Sequence, residues 1–97
     1  MGFLKNLFKK KEITYLGRGG LKYFDGEEEF YIDTNNFLEN EEKKSLIEVF
    51  WKDIRTFSET APLPERDQKR IALKVKTVLE KDNVEVIIKP DFPTNLL

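Results

Sequence analysis

The chain contains no cysteine and no histidine. Without thiols there is no disulfide framework and no thiolate chemistry. Without imidazole, the usual general base beside a serine or cysteine nucleophile is missing, and so are most zinc, copper and haem donor sets. A carboxylate site for magnesium or calcium is the metal chemistry left open. An excess of one charge is also absent: 17 basic residues stand against 18 acidic ones, a net charge of −1. A nucleic-acid partner normally demands a basic excess, so none is expected. No uninterrupted apolar run approaches the roughly 20 residues of a membrane span. The opening residues are too short for a secretory signal and lack a small-residue cleavage site. Together with the cysteine-free composition, this leads to the expectation of a cytoplasmic protein.

What is present suffices for one core. The 97 residues are 39% hydrophobic and 12% aromatic, with 36% charged, which bounds the chain to a single small domain. Residues 1–12 read as a short amphipathic segment in which Phe3, Leu4, Leu7 and Phe8 fall on one helical face among lysines. Residues 13–97 read as the domain.

Along that domain, Ile13, Tyr15 and Leu16 suit a strand, which Gly17, Gly19 and Gly20 interrupt. These glycines form neither phosphate-loop pattern, and no helical periodicity follows them. LKYFDGEEEFYID reads as a hairpin with Asp25-Gly26 in a two-residue type I′ turn, joining Leu21–Phe24 to Glu27–Asp33. TNNFLENEEKKS reads as a connection, with Phe37 and Leu38 anchoring it to the core. LIEVFWKDIRTF satisfies two periods. Leu46, Ile47, Phe50, Ile54 and Phe57 form a helical stripe, whereas Ile47, Val49 and Trp51 alternate as in a strand. Its β-branched and aromatic content favours a strand that ends near Lys52-Asp53. Pro64, Glu65 and Asp67 then mark a helix start. Ile71, Val75, Val78 and Leu79 give it one apolar stripe over 65–82, with a stop at Asn83. Val84–Lys89 is a strand ended by Pro90. The expected fold is α+β: a small antiparallel sheet of about five strands packed on one main C-terminal helix, in the order β-β-β-β-α-β.

No constellation carries chemistry. Glu27 and Glu29 lie at an expected hairpin tip, the opposite of the apolar cleft that acid–base work needs. Ser45 and Ser58 have no histidine partner. Asp25, Glu27 and Glu29 alternate, but the twelve-residue calcium loop pattern is absent. The chain is therefore expected to be no enzyme and to carry no cofactor and no metal.

One feature has functional content. Residues 25–42 hold eight acids and no lysine or arginine. Such a block raises the rate of encounter with a basic partner. Glu27, Glu28, Glu29 and Asp33 are the expected partner-binding residues.

Three stretches resemble a family of small bacterial immunity proteins from polymorphic toxin systems, the one numbered seventy-four. They are ITYLGRGGLKYFDGEEEFYID, WKDIRTF and LPERDQKRIALKVKTVLEKDNVEVII. They are similar, in turn, to the family's opening strand, Arg-Gly turn and hairpin, to its strand end with a following aromatic, and to its Arg-x-x-Ile helix with closing strand. Phe57 stands where the family usually has Trp. The resemblance implies an α+β domain that neutralises a cognate protein toxin by occluding its active surface. The alternative reading is a membrane-surface adaptor, or a small subunit of a larger complex, held through residues 1–11.

Overall fold

The computed structural model describes residues 11–57 and 63–91. The amphipathic N-terminal face at Phe3–Phe8, and with it the adaptor reading, lies outside the described residues. The elements are β1 (Ile13–Tyr15), β2 (Gly20–Phe24), β3 (Glu29–Glu39), β4 (Ser45–Thr56), α1 (Glu65–Lys81) and β5 (Glu85–Lys89). The fold is α+β in the expected order. The five strands lie in sequence order in one sheet. β1 to β4 are antiparallel neighbours. The sheet is mixed, however, because β5 pairs parallel to β4. α1 intervenes between those two strands, and a crossover helix returns the chain in the same direction.

Strand alternation fixes which face is covered. On β3, Phe30, Ile32, Thr34 and Asn36 are buried, while Glu29, Tyr31, Asp33 and Asn35 between them are half-exposed. Leu21, Tyr23, Phe30, Ile32, Ile47, Val49, Ile54 and Val86 of the sheet pack on Ile71, Ala72, Val75 and Leu79 of α1. α1 is amphipathic and stops where expected. Asp82 caps it, Asn83 takes a left-handed φ of 65°, and Val84 N–H returns to Leu79 O at 3.1 Å.

Residues 46–56 settle as strand, but β4 does not end at Lys52-Asp53. Tyr31 pairs with Arg55 and Asp33 with Phe50, so two steps on β3 match five on β4. The surplus residues bulge outward at Lys52 and Asp53, and the strand then resumes. Gln68 of α1 holds this bulge, donating through Nε2 to Lys52 O at 2.5 Å and Ile54 O at 3.2 Å. Ile54 returns to the core. Phe57 does not, and is 48% exposed.

The β2–β3 connection also differs from expectation. Phe24 pairs with Glu29, leaving a four-residue loop over 25–28. Asp25 Oδ1 accepts from the N–H groups of Glu27 and Glu28, each at 2.9 Å, and Gly26 alone in the loop takes positive φ. The side chain thus substitutes for the second positive-φ residue that a type I′ turn requires.

Candidate functional site

The eight acids of residues 25–42 do not make one patch. β3 separates Asp25, Glu27 and Glu28 at one end of the sheet from Glu39, Glu41 and Glu42 at the other. Eleven extended residues span roughly 35 Å, several times a physiological Debye length of about 8 Å. The two groups therefore act on separate partners or separate parts of one.

The four acids singled out from the sequence divide further. Glu27 and Glu28 are exposed on the loop. Glu29 lies on the sheet face away from α1 and pairs with Lys22 at 2.9 Å. Asp33 follows on the same face, opposite Phe50. Phe50 is buried but lies outside the cluster under α1. Beside the loop, the Asp25 carboxyl is pushed up by burial. The N–H groups of Glu28 and Glu27, with Lys74 and Arg70 nearby, more than offset this and hold it below its ordinary pKa. The negative loop end therefore faces basic residues of α1, which blunts its outward field.

Two surfaces present aromatic side chains. On the face away from α1, Arg55 Cζ stands 4.2 Å over the Tyr31 ring and Lys22 Nζ stands 5.1 Å over Phe57. The Tyr31 and Phe57 rings are 6.3 Å apart. The cations here are committed to rings and to Glu29, so this face is internally satisfied.

The second surface is at the end of the sheet where β1 stops and β3 bulges. Asn35 pairs with Glu48 and Leu38 with Leu46, so three steps on β3 match two on β4. Phe37 absorbs the surplus with a φ of 64° and is 65% exposed. A left-handed φ at a bulky non-glycine residue is sterically costly. Its ring meets Tyr15 at 6.2 Å. Tyr15 and the adjacent Leu16 are 44% and 41% exposed. Burial raises the Tyr15 pKa, and the Asp82 charge raises it further, which places this rim beside the C-terminus of α1. The acids of the β3–β4 turn are at the same end: a shallow groove there is lined by Glu39, Glu41, Glu42 and Glu85 around Asn40.

Buried polar contacts hold the rim in place. Asn36 Nδ2 donates to Gly17 O at 2.7 Å and to Gly20 O at 3.0 Å, and its Oδ1 accepts from Thr34 Oγ1 at 2.7 Å. The Gly-Arg-Gly-Gly turn is thereby clamped against β3. Arg18 O and Gly19 O complete the clamp by accepting from the N–H groups of Asn36 and Thr34. The aromatic rim was missed in the sequence because Phe37 read as a core anchor. Its strained φ arises from the β3–β4 register, which no local pattern encodes.

Comparison with models of known protein families, with characterised proteins and with solved structures returned no significant match. Among the described residues, no group of three or more His, Cys, Asp or Glu is placed to hold a metal ion. No helix among them is long and apolar enough to cross a membrane.

Proposed function

We propose that this chain is a non-enzymatic protein-binding domain that acts as an immunity protein, occluding the active surface of a cognate bacterial toxin. The observation that carries the binding reading is Phe37, a bulky aromatic held in a strained backbone conformation and mostly exposed beside Tyr15 and Leu16. Strain at a surface aromatic persists only where the surroundings over-determine it, and such positions gather at functional sites. Exposed Tyr and Phe surrounded by polar residues match the composition of interface anchors. Glu39, Glu41 and Glu42 flank the anchor and supply steering toward a basic partner. Glu27 and Glu28 on the far loop, with Glu29 and Asp33 on the outer sheet face, are the weaker candidates for such contact. The immunity role itself is supported by the three family-like stretches.

The test is genetic. The polypeptide encoded beside this chain's gene is expressed in a bacterial host with and without the chain. Growth arrest relieved by the wild-type chain, and not by Phe37→Asp at equal soluble level, is the expected result. A harmless neighbour, or arrest that the wild-type chain fails to relieve, overturns the reading.

A further inference from the structure

The two ends of the sheet are treated differently. β1 forms one edge with three residues and gives way at once to the glycine turn. β5 forms the other edge with five residues, Glu-Val-Ile-Ile-Lys, having no proline, glycine or bulge within it. An edge with a β-branched centre is a template for another strand unless it is protected. Val86 and Ile88 face the core under α1, while Glu85, Ile87 and Lys89 face the other way. Ile87 is 37% exposed.

We propose that β5 pairs antiparallel with β5 of a second copy of this chain, about a two-fold axis through Ile87. The sequence is self-complementary about that residue. Glu85 of each chain stands opposite Lys89 of the other, Val86 opposite Ile88, and Ile87 opposite its own copy. Directly opposite residues of an antiparallel pair share one face. The two Glu–Lys pairs and the Ile87 contact therefore lie on the outer face, and Val86 and Ile88 extend the core layer on the other. Slipping the register by two residues in either direction loses both ion pairs, so charge fixes the alignment. The helix side of the edge is electrically balanced: Lys76 Nζ reaches Val86 O at 3.3 Å and pairs with Glu80 at 3.0 Å. The result is a closed, isologous dimer with one continuous ten-stranded sheet.

Sedimentation equilibrium of the full chain up to about 1 mM tests this. The wild type is expected to approach twice its 11.5 kDa chain mass. Glu85→Lys and Lys89→Glu each set like charges opposite one another twice per dimer, and each is expected to weaken association at least about tenfold. A one-to-one mixture of the two variants is expected to recover the dimer. In that heterodimer the introduced lysine faces the introduced glutamate, and native Lys89 faces native Glu85. Lys89 also serves Glu48 within its own chain at 2.5 Å. Ile87→Lys, which leaves both ion-pairing residues in place, is therefore the second disrupting variant, with folding verified by circular dichroism. A wild-type chain that stays single throughout the range overturns the proposal and leaves the edge to a strand from another protein. Folded variants that associate as the wild type does, or a mixture that recovers nothing, overturn it equally.

Discussion

Tyr31 lays its phenol across Gly20, with the hydroxyl oxygen 2.9 Å from where a Cβ on that glycine would sit. The two residues are on adjacent strands, Tyr31 directly opposite Lys22. A glycine inside a strand weakens it unless something packs over the bare backbone, and an aromatic from the neighbouring strand does so here. Arg55 Cζ, 4.2 Å from the ring centroid, restrains it from tilting away. Gly20→Ala is expected to destabilise the protein by about 1–2 kcal/mol through overpacking. In a Tyr31→Ala background the same substitution becomes neutral or slightly stabilising, because the clash is gone and the unfolded chain loses freedom. A urea-denaturation double-mutant cycle measures this. Equal effects in both backgrounds remove the contact from the account.

Asn36 is the polar pin of the fold. Its side chain satisfies two turn carbonyls and the Thr34 hydroxyl in a buried setting. Asn36→Ala strands Gly17 O and the Thr34 hydroxyl, while Gly20 O keeps the Leu16 N–H at 3.0 Å, and each buried orphan costs about 1–3 kcal/mol. Partial hydration of the glycine turn reduces the sum, giving an expected loss of about 3 kcal/mol in chemical denaturation. Thr34→Val, which removes a single bond, is expected to lose about 1 kcal/mol. If both variants cost the same, the turn is held by its backbone bonds to β3 rather than by Asn36.

The order of elements, the helix limits and the sheet's inner face were legible because each rests on a local pattern: the α1 stripe, Asn83 at its stop, and the alternation through Phe30 and Ile32. What eluded the sequence lies in the registers. β3 and β4 each carry surplus residues against the other. The bulge at Lys52-Asp53 mimics a strand end, and the one at Phe37 mimics a loop. Both depend on distant partners, Gln68 for the first and the Gly17–Gly20 turn for the second. The acidic block shows the complementary error. Eight acids are contiguous in sequence, yet an extended strand carries them to opposite ends of the domain.

Acid sensitivity follows from Glu48. Lys89, hydrogen-bonded to its carboxylate, lowers the pKa; burial opposes this, and Asn35 adds to the lowering. A depressed carboxylate contributes stability that is present above its ordinary value and lost as pH falls through its folded value. Asp25 has the same sign. Stability is therefore expected to fall below about pH 4.5. Glu48→Gln is expected to lower stability at pH 7 and flatten the decline as pH falls below about 4.5. Chemical denaturation across that range checks it, and an unchanged acid slope in the variant assigns the decline elsewhere.

Phe37 offers a prediction of opposite sign to most substitutions. Its backbone sits in the left-handed region at φ 64° while 65% of the residue is exposed. Glycine adopts that region freely, whereas a side chain there costs about 1–2 kcal/mol. Against this, Phe37→Gly loses the ring contact with Tyr15, worth about 0.5–1 kcal/mol for an aromatic pair, and gains unfolded-chain freedom. The relief of strain is expected to win by about 0.5 kcal/mol in urea denaturation. Phe37→Asn, which tolerates the same conformation less fully, is expected to be near neutral. A stabilised variant that also fails to relieve growth arrest shows that the aromatic is kept for contact at the expense of stability. A loss of stability in both variants makes the Tyr15–Phe37 pair a structural element, and withdraws the strain on which its assignment as an anchor depends.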